Sequence, residues 1–408
     1  MNKLTKFLPY LAAVISGLLL AMCYPGFEVA SGLVWIWPIP LMAALWLGGG
    51  EKKRKRFGWR VAGLAGLTFW LVNVKWLIAM GDLDTVPVAG AMAGWFMLAV
   101  YLSVYFALWG VFATTIGNPW RKGKLRELSA IEQKMEAKLD DDKPKKRNRG
   151  FLASFRVMRF AIMHASLWVV LEWLRGWLMT GFAWNGLGVA FHEVPVMMQV
   201  ADLVGVTGIA FFPMMLASVI LQTGKRLIDE VRAGKLQAHL EIGLSIGMVA
   251  AVFAYGVNRM TYQPSHDVKV LIVQENISQS LKWDERLEAE HYFGYANSVQ
   301  AKLAEIEEEN QQKMEQAMLS GKEVELDYPD LLVLPESAMT QPLLYTGEKE
   351  EYHFMPLTWD FLAHQVFAEN HFKVVFGSNV VGAELSEQGL EYDFDKPIYN
   401  GIAVASPS

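Results

Sequence analysis

The clearest candidate for chemistry in this sequence is a glutamate that follows a short hydrophobic run. The run from Leu331 to Leu334 has the composition of a buried strand, and Pro335 and Glu336 come directly after it. In α/β sheets, functional groups collect at the carboxyl ends of strands. A carboxylate that such a run shields from water is a stronger base, which suits a general base or acid near neutral pH. The alternative is a glutamate that only caps the helical turn after the strand.

Trp283 is a second candidate, because it lies in the loop after the predicted strand Val268–Val273. An exposed Trp there would contact an acyl chain or the membrane interface, and packing in the core is the alternative. Four histidines lack the spacing of metal ligands, namely His291, His353, His364 and His371. The sequence also has no glycine-rich phosphate loop and no nucleophile elbow. It therefore predicts no metal and no cofactor.

A third candidate site lies inside a hydrophobic stretch. Glu172 and Arg175 are one helical turn apart, so both charges fall on one face of the helix. Ionisable groups within a membrane span are costly and face the bundle interior or a wet cavity. The pair forms either a structural ion pair or part of a cleft for lipid or substrate. The loop 181–203, rich in Gly and aromatic residues, predicts an interfacial re-entrant or lid-like connection.

The elements that position these residues divide into two parts. The hydrophobic fraction of 53% is typical of a polytopic membrane protein with an attached domain. Residues 1–260 predict a transmembrane bundle of about seven helices, since a span needs about 20 apolar residues. The predicted spans are 7–27, 29–48, 61–80, 87–116, 157–180, 204–223 and 239–258. A charge-rich insert at 120–150, with a short helix near 126–139, is either a solvated loop or a regulatory or headgroup-binding segment.

The distribution of basic residues predicts the orientation. Lys and Arg cluster after the second span, in the insert and after the sixth span, whereas 81–86 and 181–203 contain none. The positive-inside rule places the amino terminus in the cytoplasm, so residues past about 259 lie outside the cytoplasm. The first stretch is too long for a removed signal peptide and lacks a small-residue cleavage site. The net charge of −5 gives no reason to expect a nucleic-acid partner.

Residues 266–408 predict an α/β domain. Its strands are Val268–Val273, Asp330–Leu334, Lys373–Gly377 and Ile398–Ala405, and its helices are Asp284–Met318 and Leu357–Asn370. The alternation indicates βαβ crossovers and a sheet that helices cover on at least one face. The single cysteine, Cys23, lies in the first hydrophobic stretch, where it is predicted to pack as a small hydrophobe.

Several segments together resemble apolipoprotein N-acyltransferases, whose soluble part is a carbon–nitrogen hydrolase domain. VQENISQSLKWD at 273–284 and LLVLPESA at 331–338 resemble the start of that domain. In the membrane half, the resemblance lies in CYPGFEVASGLVWIWPIPL at 23–41, LEWLRGWLMTGFAWNGLGVAF at 171–191 and QVADLVGVTGIAF at 199–211. The resemblance covers nearly the whole chain. It implies a helical bundle followed by a nitrilase-like αββα domain outside the cytoplasm, in the inner membrane.

The resemblance also implies a reaction. A Cys thiolate takes an acyl chain from a phospholipid, and the thioester passes it to the α-amino group of a diacylglyceryl-cysteine at the start of an apolipoprotein. Glu336 matches the general base of the family, and Trp283 matches the Trp of a substrate loop. No cofactor is implied, and the partners are the phospholipid donor, the apolipoprotein acceptor and the membrane. Glu172 and Arg175 are further candidates for substrate binding.

Two features of the family pattern are not found in these 408 residues. The family's oxyanion Lys follows the strand that contains Tyr399 and Asn400 here, and its nucleophilic Cys comes later still. Lys373, Lys396 and Cys23 do not occupy those positions. We therefore expect the chain to be a fragment of an active acyltransferase, with a shortened pseudoenzyme or one half of a split enzyme as alternatives. A non-catalytic protein that binds lipid or lipoprotein, and a membrane-anchored amidase, are the competing functions.

Overall fold

The structure of the chain is a computed structural model. It describes residues 3–27, 31–50, 53–82, 86–121, 145–234, 236–261, 267–321, 323–346, 351–367, 372–386, 389–393 and 395–407. The chain divides into two compact units, Met1–Tyr262 and Gln263–Ser408. The predicted short helix near 126–139, and also His371, lie outside the described residues.

The described part of the first unit consists of helices joined by turns and irregular segments, without a strand. Its α-helices are α1 (Lys3–Ala21), α2 (Pro38–Leu47), α3 (Arg54–Asn73), α4 (Val88–Thr114), α5 (Lys145–Arg175), α6 (Pro195–Met198), α7 (Ala201–Ile209), α8 (Phe211–Arg232) and α9 (Leu240–Met260). Short 3-10 helices lie between them at Ser31–Trp35, Lys75–Asp82, Leu178–Thr180 and Leu187–Phe191. Helix α2 begins at Pro38, whose fixed φ and missing N–H suit the first position of a helix.

Three of the described helices are long and apolar enough to cross a membrane, namely Val88–Thr114, Gly150–Arg175 and Leu240–Met260. Two bent pairs raise the number to as many as five: α3 with the 3-10 helix after it, bent by 48°, and α7 with α8, bent by 58°. Two shorter apolar helices, Lys6–Ala21 and Gly32–Leu47, precede them. These elements overlap the seven predicted stretches one by one in chain order, although several of them extend beyond the predicted bounds, and seven full spans remain a prediction.

Small residues let α3 and α4 pack closely. A Cβ on Gly58 would lie 2.3 Å from the carbonyl oxygen of Gly110, and a Cβ on Gly110 would lie 2.3 Å from Cβ of Ala62. The backbones therefore touch where both helices carry Gly, as is common between helices in membranes. Large aromatic side chains fill the interior around this contact, and Trp37, Trp70 and Trp109 are fully buried.

The second unit contains a seven-stranded mixed sheet with helices. The strands are β1 (Val270–Ile272), β2 (Leu331–Val333), β3 (Leu343–Thr346), β4 (Glu351–His353), β5 (Lys373–Ser386), β6 (Gly389–Tyr392) and β7 (Tyr399–Ala405). The order is β1-β2-β5-β3-β4, with β6 and β7 also paired to β5. Strands β1, β2 and β5 are parallel, as the predicted βαβ crossovers require, whereas β7 pairs antiparallel with β5.

The two faces of this sheet differ in burial. On one face, Leu332, Val374 and Phe376 are buried in a core that helices cover. The opposite face carries apolar side chains that remain exposed, with Ile272 72% and Val404 63% accessible. Because side chains alternate along a strand, the residue pairs of β1, β5 and β7 show which side chains lie on each face. Helices therefore cover one face of the sheet within the described part of the chain.

Two predicted helices of this unit have different bounds in the structure. The long helix α11 (Glu288–Ser320) begins after α10 (Gln279–Lys282) and a 3-10 turn, Glu285–Leu287, and the carboxylate of Asp284 caps that turn by accepting from the backbone N–H of Arg286. The helix predicted at 357–370 is α12 (Pro356–Asp360) continued as a π-helix, Phe361–Val366. Wider π-helical turns leave no distinct periodicity in so short a segment.

Candidate functional site

Glu336 lies on a tight turn three residues after the end of β2. The N–H of Ala338 donates to the carbonyl oxygen of Pro335 at 3.2 Å, which closes the turn. Ser337 adopts a φ of 52°, a left-handed conformation that is uncommon for a residue with a Cβ. Strain of this kind persists only where the surroundings hold the backbone in place.

Gly377 on β5 is what allows this turn to sit against the sheet. A Cβ at residue 377 would lie 2.7 Å from Cα of Glu336 and 2.8 Å from the backbone nitrogen of Ser337. Both contacts are with backbone, which cannot rotate away. The N–H of Gly377 also donates to the carbonyl oxygen of Pro335 at 3.4 Å. The backbone of β5 at Gly377 therefore fixes the position of the turn that carries Glu336.

Two polar side chains from other segments hold Glu336. The amide Nδ2 of Asn400, on β7, donates to Oε1 of Glu336 at 2.5 Å. The ammonium Nζ of Lys282, at the end of α10, donates to the backbone carbonyl oxygen of Glu336 at 2.9 Å. Three segments that are distant in sequence thus meet at one residue, Asn400 at its carboxylate and Lys282 at its backbone. The capping alternative predicts a hydrogen bond from the carboxylate to the helical turn after the strand. The observed hydrogen bond joins the carboxylate to Asn400 on β7.

The predicted shielding of Glu336 from water is wrong, because its side chain is exposed in the structure. Leu332 and Leu334 point into the core, as predicted, and both are buried. The turn at Pro335 then carries residue 336 out to the surface. A strand pattern reports only the side chains of the strand, so it gives no information on residues past its end.

Trp283 lies beside a cleft of about 380 Å³, whose walls include Lys282, Glu288 and Tyr392. The Trp side chain is 48% exposed, so the core-packing alternative does not describe it. Arg286 donates two hydrogen bonds to the carboxylate of Asp284, from its Nε at 2.9 Å and from its terminal nitrogen at 2.6 Å. These bonds lower the pKa of Asp284 to about 2 and fix the turn that follows Trp283.

In the helical unit, Glu172 and Arg175 each have a different partner. Oε1 of Glu172 accepts from the backbone N–H of Leu187 at 2.9 Å. The guanidinium of Arg175 lies over the ring of Trp70, 4.8 Å from its centroid, and the side chain is buried. Both residues line a small cavity of about 20 Å³. Within the described part of the chain, Glu172 Oε2 and Arg175 Nε are buried without a hydrogen-bond partner.

The loop opposite this pair is held by polar contacts. The hydroxyl of Tyr24 donates to the carbonyl oxygens of Asn185 and Gly186 at 3.0 and 3.1 Å. Nδ2 of Asn185 donates to Oδ1 of Asn73 at 3.0 Å. Met179, Thr180 and Asn185 all have positive φ values. The segment 181–203, which the sequence predicted as a re-entrant or lid-like connection, thus begins with a constrained loop beside Glu172 and Arg175 and continues in short helices.

The remaining chemical candidates stand apart from these sites. Cys23 is buried, and its thiol donates to the carbonyl oxygen of Leu19 at 3.2 Å. His364 contacts the carboxylate of Asp360 at 3.0 Å on the same helix. The described residues contain no group of three His, Cys, Asp or Glu side chains that could hold a metal ion.

Sequence reasoning missed two residues of the Glu336 site, Lys282 and Asn400. Lys282 lies in the segment that carried the family resemblance, and its neighbour Trp283 drew attention first. For Asn400 the sequence holds no signal, because its contact depends on the antiparallel pairing of β7 with β5. An amide on a strand is otherwise an ordinary polar residue.

Comparisons with known proteins agree with the resemblance. Residues 16–219 match the family described as "Apolipoprotein N-acyltransferase N-terminal domain". A protein from Geobacter metallireducens named apolipoprotein N-acyltransferase is 29% identical over 336 residues, covering 81% of this chain and 51% of the relative. Proteins of the same name from Haemophilus influenzae and Shewanella oneidensis are 25% identical over 347 residues and 27% identical over 252 residues.

These alignments differ in what they cover. The Haemophilus influenzae alignment takes in 82% of this chain and 51% of the relative, and the Shewanella oneidensis alignment takes in 61% and 39%. The chain spans about half the length of the curated relatives it matches. The family match contains Glu172 and Arg175, whereas Trp283 and Glu336 lie beyond it.

Proposed function

The chain belongs to the apolipoprotein N-acyltransferase family, and from this premise we propose that it N-acylates the amino-terminal diacylglyceryl-cysteine of apolipoproteins. The acyl donor in this proposal is a phospholipid, and the acyl group passes through a Cys thioester. The observation that carries the proposal is the Glu336 turn, where Asn400 holds an exposed carboxylate after the end of a sheet strand and Lys282 holds the backbone of the same residue.

Glu336 is the general base of this proposal. The hydrogen bond from Asn400 fixes Oε1 and leaves Oε2 to accept a proton from a thiol or an amine. The bond from Lys282 to the backbone carbonyl, together with the close contact at Gly377, keeps the turn in place. A base that is positioned by its backbone does not need to reorganise when the substrate arrives.

Trp283 is the substrate-loop residue of this proposal. Its exposed ring beside the cleft supports a contact with a lipidated substrate, because an indole offers a large apolar face to a chain or glyceryl group. Glu172 and Arg175 are proposed as further substrate contacts within the bundle. The unpartnered Oε2 and Nε atoms beside the small cavity support this role, since buried polar atoms normally have partners.

The proposal includes the position of the protein in the cell envelope. The chain is a multi-pass protein of the inner membrane with its amino terminus in the cytoplasm, and its α/β unit lies in the periplasm. The α/β unit is the first part of a nitrilase-like αββα domain. The exposed apolar face of the sheet, with Ile272 and Val404, supports this fold, because a second sheet would cover such a face.

The test is an acylation assay on the protein isolated from its own membrane. A diacylglyceryl-cysteinyl peptide and phosphatidylethanolamine vesicles are supplied, and mass spectrometry measures the gain of one acyl chain. We expect Glu336→Gln to lower the rate at least about 100-fold, the range typical of a lost general base. Glu323→Gln, an exposed acid before β2, is the matched control.

Each of the other outcomes of this assay would support a different function or base. Unchanged acylation by Glu336→Gln would remove the assignment of the base. Peptide binding without acyl transfer by the native protein would identify a non-catalytic lipoprotein-binding protein. Release of ammonia from small amides, with no transfer from phospholipid, would identify an amidase.

A further inference from the structure

The cleft beside Trp283 has a carboxylate fixed in its wall. Glu288 is the first residue of α11, and its Oε1 accepts from the hydroxyl of Thr340 at 2.9 Å. Its Oε2 accepts from Nε2 of Gln341 at 3.3 Å. A carboxylate has about four acceptor positions, so two hydrogen bonds leave capacity for a ligand in the cleft.

The residues that hold Glu288 are themselves held. Oε1 of Gln341 accepts from the backbone N–H groups of Leu357 and Thr358, at 2.9 and 3.4 Å. The hydroxyl of Tyr292 lies 2.7 Å from that of Thr358. Burial raises the pKa of Tyr292, so its hydroxyl keeps its proton as part of this network. The cleft therefore has a rigid wall before any ligand enters, which lowers the entropic cost of binding.

Two aromatic rings complete the cleft. Trp283 is 48% exposed and Tyr392 is 41% exposed, and both line it. The faces of aromatic rings attract cations, and Trp attracts them most strongly. A fixed carboxylate together with exposed aromatic rings is the combination that binds an ammonium group.

The charges in the cleft favour a cation that carries no anion beside it. The charge of Asp284 is paired with Arg286, whereas Lys282 keeps its positive charge although its ammonium donates to the carbonyl oxygen of Glu336. Glu285 and Glu288 also line the cleft, so its acids outnumber its bases. A phospholipid headgroup brings a phosphate next to its ammonium, and that phosphate would be repelled. The α-ammonium of a diacylglyceryl-cysteine has no such anion.

We propose that this cleft binds the α-ammonium group of the lipoprotein acceptor. Glu288 is the anionic partner of the ammonium, and the ring face of Trp283 packs against it. The inference rests on the proposed function, because that function supplies the acceptor. Lys282 connects the cleft to the Glu336 turn, since it lines the first and hydrogen-bonds the second. The cleft is thus an acceptor subsite next to the proposed base.

The test is a calorimetric titration of the full chain in detergent micelles. Two probes are compared, a dipeptide amide whose first residue is dioctanoylglyceryl-cysteine with a free amine, and the same compound N-acetylated. We expect the free amine to bind about tenfold more tightly, the size of a hydrogen bond to a charged partner. Glu288→Gln should remove this preference. Glu290→Gln, in the same helical turn and exposed, should keep it.

The outcomes separate this inference from the function on which it rests. If neither probe binds the native chain, the proposed function fails. If both bind equally, the lipopeptide is recognised but the ammonium subsite is refuted. Glu285→Gln provides a second variant should Glu288→Gln fail to fold, and it should also weaken the preference. The titration is repeated in micelles that contain phosphatidylethanolamine and in micelles that contain phosphatidylglycerol, to test whether a lipid headgroup supplies the ammonium. Competition by phosphatidylethanolamine alone would assign the cleft to lipid headgroups and overturn the proposal.

Discussion

The two carboxylates that the sequence singled out are held in opposite ways. Glu172 lies in the helical unit next to a buried arginine, and some polar atoms of this pair have no hydrogen-bond partner among the described residues. Glu336 lies in the α/β unit on an exposed turn, and other segments supply its partners. An ionisable group in a membrane span is recognisable from the sequence as a candidate site because it is costly there. A glutamate on a turn draws attention only through its position after a strand.

The comparison indicates different roles for the two sites. Removing the charge of Arg175 should lower the free energy of unfolding in addition to removing the proposed substrate contact, because a low-dielectric interior magnifies the loss. Removing a partner of Glu336 should mainly change activity, because water replaces the lost contact at an exposed site. Substitutions at the two sites can therefore separate stability from chemistry.

The largest effect is expected from Arg175→Ala. The change leaves Glu172 in the bundle without the positive charge one turn away, and it removes the guanidinium from the face of Trp70. We expect the free energy of unfolding to fall by about 3 kcal/mol, the size of the cost of leaving a buried charge without compensation. Thermal unfolding in detergent measures this change. Arg60→Ala, at an exposed position on α3, is the control and should change little. Equal effects of the two substitutions would contradict a buried structural charge.

The next largest effect is expected from Gly377→Ala. Its new Cβ would press on the backbone of Glu336 and Ser337, so the turn must shift. We expect a loss of about 1–3 kcal/mol in unfolding free energy, the usual range for overpacking, together with a loss of acylation. Gly294→Ala on α11 is the matched control, since its Cβ would meet its nearest neighbour at an ordinary 3.5 Å. A stable, fully active Gly377→Ala variant would show that the turn is not fixed through β5.

A smaller effect, confined to activity, is expected from Asn400→Leu. The leucine has a similar volume but cannot donate a hydrogen bond to Oε1 of Glu336. We expect acylation to fall about tenfold, the size of one hydrogen bond to a charged group. Because residue 400 is exposed, the unfolding temperature should stay unchanged. Asn379→Leu, its cross-strand neighbour, is the control for the strand pair. If Asn400→Leu lowered stability instead, the difference between the two sites would disappear.

The sequence predicted those features of the two sites that depend on residues close together in the chain, and it did not predict contacts between distant segments. The helical stretches and the βαβ strands were visible because their patterns are local, and Leu332 and Leu334 are buried as predicted. The exposure of Glu336 was not visible, because Pro335 turns the chain away from the pattern. Asn400 reaches Glu336 from 64 residues away. Only the pairing of β7 with β5 brings it there, and no local pattern encodes that pairing.

The smallest effect is expected from acid at Asp284, next to Trp283. Hydrogen bonds from Arg286 lower the pKa of Asp284 to about 2, below its value in an unfolded chain of about 3.9. A depressed folded-state pKa stabilises the fold above the unfolded value, and this contribution is lost as the pH falls from about 4 to about 2. The site is exposed, so solvent screens the effect. The protection of the Arg286 amide, taken as its hydrogen-exchange rate relative to the intrinsic rate at the same pH, should therefore fall over this window in the native chain, and Asp284→Ala should leave that amide unprotected at every pH. Protection of the Arg286 amide that does not change with pH in the native chain would mean that the pair does not hold the turn, and the cleft would lose the fixed position of its Trp283 wall.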